Sequence, residues 1–163
     1  MASWTEFVDA APDMAETIRG LVHQFGPGFG YLATVRTDGG PRVHPVSPII
    51  TDEGLFCFLI DSPKRRDLDR DGRYALHSFP PEDRDDEAYL AGHAVPVTYP
   101  ERRARIAHRS RAAGSVDWRL YEFTVDAAMI AHRDAPATSS RTAHYAIWQD
   151  PVATCSSTRE VPL

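Results

Sequence analysis

Two periods of apolar residues divide the chain. Up to about residue 28 the spacing is helical, with Ile18, Leu21, Val22 and Phe25 on one stripe. Ser3, with Glu6 three residues on, makes a capping box for a helix before that stripe. Pro12 suits the first position of the second helix, and Gly26-Pro27-Gly28 stops it. From Phe29 the pattern turns to short apolar runs punctuated by turn residues. Phe29 to Arg36, Arg42 to Ile50 and Leu55 to Ile60 read as strands, joined by Thr37-Asp38-Gly39-Gly40 and Thr51-Asp52-Glu53-Gly54. Links this short make antiparallel hairpins, because a parallel crossover needs a dozen residues or more. The third strand is almost wholly apolar, which predicts burial on both faces.

Ser62-Pro63 opens a short helix that Asp71-Gly72 closes. Arg73 to Phe79 is a fourth strand, and a fifth runs from about Glu87 to Thr98. Pro100 to Ala113 is rich in Ala and Arg and reads as a helix closed by Gly114. Trp118 to Ile130 is a sixth strand, bent near Asp126. Ala135 to Ser140 is loop-like, Arg141 to Trp148 a last strand, and the chain ends in a polar, loose tail. The pattern predicts a mainly β protein of six to seven antiparallel strands with short flanking helices. A barrel removes exposed strand edges, although a sandwich fits the pattern nearly as well. One domain is expected, with residues 1–28 as a helical segment, 29–150 as the barrel and 151–163 as the tail.

Composition narrows the function classes. A net charge of −5 over 163 residues argues against general nucleic-acid binding, which needs a surplus of Lys and Arg. The two cysteines, Cys57 and Cys155, lie far apart, so a reducing compartment fits better than a disulfide framework. No run approaches the roughly 18 apolar residues of a membrane span. The first residues lack a basic start and an apolar secretion core, so a cytoplasmic location is expected. An acidic block (Glu82, Asp83, Asp85, Asp86, Glu87) and a basic one (Arg102, Arg103, Arg105, Arg109, Arg111) read as solvated surface. The seven histidines include no HxH pair and no HExxH, so no metal site is expected.

Candidate chemistry concentrates between Arg42 and Arg65. Ser62-Pro63-Lys64-Arg65 brings a hydroxyl, a helix start and two cations within four residues, and a helix start favours an anion. Arg42 begins the second strand. If that strand pairs with the third, Arg42 approaches Lys64, and together they make a phosphate cradle. Plain helix capping with solvated charges explains the same residues. Pro41, Pro45 and Pro48, three prolines within eight residues, would disrupt a central strand, so part of the backbone along Val43, His44, Pro45, Val46 and Ser47 is expected to be unpaired on one side. Cys57, in its apolar run, reads as a packed residue.

The segment Phe29–Phe79 resembles the pyridoxamine 5′-phosphate oxidase-like family of FMN-binding split barrels. The resemblance rests on Tyr31-Leu32-Ala33-Thr34-Val35, the Asp38-Gly39 turn and Pro41-Arg42-Val43-His44-Pro45-Val46. It continues through Ser62-Pro63-Lys64-Arg65-Arg66-Asp67-Leu68 and Asp71-Gly72-Arg73-Tyr74-Ala75-Leu76. It implies a split barrel whose strand Arg42 to Ser47 runs along the flavin, with Arg42, Ser62 and Lys64 at the phosphate and Cys57 and Phe58 beside the cofactor. It further implies a homodimer with the site at the interface, and a polar partner residue near Glu87. An FMN-dependent oxidoreductase acting on a small molecule follows, with His44 and Tyr31 the nearest candidates for an acid or base. A flavin store or sensor without turnover, a deazaflavin-dependent reductase and a haem protein are the alternatives on this fold. The C-terminal residues Ser156 to Leu163 offer no basic substrate segment, so pyridoxamine phosphate oxidation is not expected.

Overall fold

The computed structural model describes residues 1–82, 85–110, 117–133 and 143–155. Helices α1 (Trp4–Ala10) and α2 (Pro12–His23) precede strands β1 (Gly30–Val35), β2 (Pro41–Val46), β3 (Ile49–Thr51) and β4 (Gly54–Leu59). Then come α3 (Pro63–Arg70), β5 (Arg73–Ser78), β6 (Glu87–Pro96), α4 (Pro100–Ser110), β7 (Arg119–Phe123), β8 (Ala127–Arg133), β9 (Ala143–Gln149) and α5 (Pro151–Cys155). The capping box forms: Glu6 N–H donates to Ser3 Oγ at 3.2 Å, and Ser3 N–H to Glu6 Oε2 at 2.7 Å. Pro12 occupies the first turn of α2. Among the described residues no helix is long and apolar enough to cross a membrane.

Every pairing in the sheet is antiparallel, in the order β2-β1-β5-β6-β7-β4-β3, with β8 and β9 branching from β6. The ten-residue β6 serves two sheets. Glu87 to Ala91 pair with β8, and Ala94 to Pro96 with β7. The molecule is a split barrel with short helices, and the nine strands among the described residues exceed the expected six to seven because two predicted strands each divide. The run Arg42 to Ile50 breaks at Ser47-Pro48, so β2 pairs with β1 at one end of the order and β3 with β4 at the other. Pro48 has no N–H to give a ladder, which lets the chain change sheets and bring the two ends of the barrel together. The run Trp118 to Ile130 breaks at Thr124–Asp126 in the same way. There the crossing backbone comes so close that a Cβ on Gly92 would stand 2.1 Å from the Thr124 carbonyl oxygen.

Alternation decides the core. Leu32, Leu76, Leu90 and Ala128 lie side by side in the ladders and face inward, where Trp4, Phe7, Ile18, Leu21 and Val22 plug one end of the barrel. The strand expected to be buried on both faces is β4. Leu55, Cys57 and Leu59 join the barrel core, while Phe56 packs beneath α4 with Ile106, Val97 and Leu120. A short helix, α5, occupies the start of the expected tail. Ala113, Gly114, the loop 135–140 and residues 156–163 lie outside the described residues.

Candidate functional site

A cavity of about 360 Å³ opens where the barrel splits. One wall is the end of β2 and the link after it, Pro45, Val46 and Ser47. Facing them are Ile49 of β3, Phe58 and the following Ile60 at the end of β4, Lys64 in the first turn of α3, Ser110 at the end of α4, Trp118 before β7, and Pro27. Phe58 and Trp118 meet edge to face, ring centres 6.5 Å apart. The lining is apolar and aromatic except for Lys64 and two serine hydroxyls. Such a chamber accepts a flat apolar body carrying an anionic group at one end.

The anionic end is set by α3. Ser62 is extended and starts the helix, but its Oγ donates to the Ile60 carbonyl at 3.0 Å and does not cap. Pro63, in the first turn, has no N–H to offer, and the following N–H groups are left to water or a ligand. The cations around this point differ in what they already hold. Arg65 donates to the Asp117 carbonyl oxygen at 3.1 Å and lies 3.3 Å from its carboxylate, tying α3 to the start of β7. Arg66 pairs with Asp61 at 3.0 Å. Lys64 has no carboxylate partner among the described residues, and it lines the cavity. Arg65, expected to join the phosphate cradle, is paired with the exposed Asp117.

Arg42 lies beside a different strand from the one expected. β2 does not pair with the strand that ends at α3; it pairs with β1, placing Arg42 opposite Thr34. Helix α3 packs over β1, and its Asp67 accepts from Arg42 Nε at 2.7 Å. His44, two residues along the same face of β2, is held below its usual pKa by burial and by the nearby charges of Lys64 and Arg42, against the opposing Asp67. This position favours the neutral imidazole.

The remaining predicted residues scatter. Val43 is exposed on the opposite face of β2. Cys57 points into the core with its Sγ 3.7 Å from the Ser47 carbonyl oxygen, and burial pushes its thiol up to about 12. It packs behind the cavity wall. Tyr31 sits among Phe29 and Phe79 on the outer sheet face. Glu87 begins β6 as expected and stands 3.3 Å from His77. Sequence reasoning missed Pro27, Ile49, Ile60, Ser110 and Trp118. Only Ile60, two residues before Ser62, had a local signal. Within the basic block, Arg102 forks onto Glu122 at 2.6 and 2.7 Å and Arg105 pairs with Glu53 at 2.9 Å, while Arg111 lies outside the described residues.

No protein-family model and no curated protein matches the chain. Solved structures of similar fold do. A candidate pyridoxamine 5′-phosphate oxidase of Listeria innocua superposes with a TM-score of 0.59 at 15% identity, covering 71% of this chain and 95% of its own. A NimC/NimA family protein of Clostridium acetobutylicum gives 0.56 at 16% identity, with 82% and 92% covered. HutZ of Vibrio cholerae, described as a haem storage protein, gives 0.53 at 16%, with 71% and 89% covered. The chain shares the split-barrel fold of these proteins.

Proposed function

We propose that this split barrel binds FMN in the 360 Å³ cavity and acts as a flavin-dependent oxidoreductase on a small molecule. The observation that carries the reading is Lys64. This ammonium has no carboxylate partner among the described residues, stands in the first turn of a helix without a side-chain cap, and lines a mostly apolar chamber. A phosphate fits there, with Lys64, the helix start and Arg42 around it. The isoalloxazine fits between Pro45–Ser47 and the Phe58–Trp118 wall. The flavin supplies the electron chemistry, and the chain supplies position, an apolar enclosure and a neutral His44 beside the phosphate end.

The outer face of the larger sheet supports a homodimer. Pro45, Tyr31, His77, Tyr89, Met129 and Ile147 form one row across six strands, with Val43, Ala33, Ala75, Ala91 and Ala127 beside it. Tyr31, Val43, Tyr145 and Ile147 are exposed there. A sheet face this apolar is suited to a second copy.

Haem binding is a second reading. It is favoured by His44, whose neutral imidazole is able to ligate iron, and by the description of HutZ. The visible spectrum of the purified protein, followed by mass spectrometry of the released ligand, decides. Flavin bands support the first reading, a Soret band the second, and a deazaflavin spectrum would replace FMN at the same site. Titration of the apoprotein with FMN and with riboflavin then tests the phosphate end. Equal affinities would overturn the assignment of Lys64.

A further inference from the structure

Asp67 lies in the middle of α3 and is only 4% exposed. Its Oδ2 accepts from Thr34 Oγ1 at 2.9 Å and from Arg42 Nε at 2.7 Å, and its Oδ1 stands 3.5 Å from Arg70. Thr34 and Arg42 are directly opposite each other in the β1–β2 ladder, so the carboxylate docks the helix onto one cross-strand pair. Stability does not require this arrangement. Apolar groups of the same volume serve a protein interior as well as a buried ion pair, or better. What the carboxylate does achieve is directional. It grips the guanidinium at Nε, near its root, and a planar fork held at Nε has the direction of both terminal amino groups set. Among the described residues those amino groups have no hydrogen-bond partner, and the side chain keeps 29% exposure. Lys64 is one turn back on the same helix, three residues from Asp67 and on the same face. The charges of Lys64, Arg42 and Asp67 all act on His44, on the same strand as Arg42.

We propose that Asp67 is a positioning residue of the anion site: anchored by Thr34, it aims the terminal amino groups of Arg42 at the phosphate that Lys64 meets from the helix start. The inference rests on the reading that Lys64 and Arg42 hold a flavin phosphate. It makes a prediction of unusual sign. Charge alone says that removing an anion beside a phosphate site strengthens phosphate binding. Positioning says that the same change weakens it, because Arg42 is released from its productive direction.

The test is titration of Asp67→Asn with FMN and with riboflavin, which lacks the phosphate. The expected result is roughly tenfold weaker FMN binding, the loss of about one charge-assisted hydrogen bond, with riboflavin affinity unchanged. In an Arg42→Ala background the Asp67→Asn change is expected to do nothing further to FMN affinity, since nothing is left to aim. Arg42→Lys provides a second arm that keeps Asp67 and the positive charge but lacks the fork. It is expected to lose as much FMN affinity as Arg42→Ala. Unchanged or tighter FMN binding in Asp67→Asn, or wild-type FMN binding in Arg42→Lys, overturns the positioning role while leaving the phosphate site standing. Wild-type FMN binding in both Lys64→Ala and Arg42→Ala overturns the phosphate site itself.

Discussion

Lys64 and Arg42 look alike as a pair of cations in the sequence, and the structure separates them. Lys64 holds no carboxylate among the described residues, so Lys64→Ala is expected to leave unliganded stability within about 0.5 kcal/mol. It should weaken FMN binding by roughly ten- to a hundred-fold and riboflavin binding far less. Arg42 neutralises a buried carboxylate. Arg42→Ala leaves Asp67 to Thr34 and Arg70 and is expected to cost about 1–3 kcal/mol of stability, measured by urea unfolding without ligand. Acid unfolding reads the same pair. Burial pushes the Asp67 carboxyl up, but the hydrogen bonds from Arg42 and Thr34 outweigh it and leave the pKa below its usual value. A depressed folded pKa contributes stability that is complete above the unfolded value, about 3.9, and is lost as pH falls through the folded value. Asp67→Asn is therefore expected to flatten the stability profile below about pH 4. A variant that loses stability with acid as steeply as the wild type would show that other carboxylates carry that limb.

At the scale of elements, the link from β2 to β3 determines where the cavity opens. Pro48 withholds an N–H at the point where the chain changes sheets, and Gly28 lies against it. Gly28 has φ +104°, and a Cβ there would stand 2.1 Å from the Pro48 carbonyl oxygen. Neither the backbone angle nor the contact suits an L side chain. Gly28→Ala is expected to destabilise by about 1–3 kcal/mol, or more if the link has to move, and to lower FMN affinity because Pro27 and Ser47 both line the cavity. Gly39 makes the natural control. It also has positive φ, but nothing lies within 4 Å of an added Cβ, so Gly39→Ala should cost only the backbone strain and spare the ligand. Thermal melting and FMN titration of the two variants separate these effects. The helix α3 shows the same division of labour. Its Ser-Pro opening and its length were legible, whereas the docking of Asp67 onto β1 was not, because that contact spans 33 residues of chain.

For the whole molecule, the apolar outer sheet face predicts assembly. A symmetric homodimer burying more than roughly 1,200 Å² in total is expected, seen as a dimer by sedimentation at micromolar concentration. Ile147, 68% exposed at the far end of the outer row, provides the probe. Ile147→Asp is expected to yield a folded monomer, since an exposed strand position contributes little within one subunit. A variant that stays dimeric would place the interface elsewhere.

What the sequence determined alone was local and periodic. The capping box at Ser3, the helix starts at Pro12 and Pro63, the hairpin turns and the double-sided burial of β4 each follow from residues within a few positions of one another. A period of two or of 3.6 is enough to set them. Prolines at 41, 45 and 48 likewise marked β2 as a strand paired on one side only, which its edge place in the order bears out. The tertiary structure decided everything that depended on which strand lies beside which. Hydrophobic alternation says that a strand has an inner face but not whose ladder it joins, so β2 was expected to pair with a strand it does not pair with, and two strands were read where four exist. The cavity is built from five separated stretches of chain, around Pro27, Pro45 to Ile49, Phe58 to Lys64, Ser110 and Trp118. Charge neutralisation follows the same rule. Arg65 and Arg42 find their carboxylates across 52 and 25 residues, and only folding reveals that Lys64 finds none among the described residues.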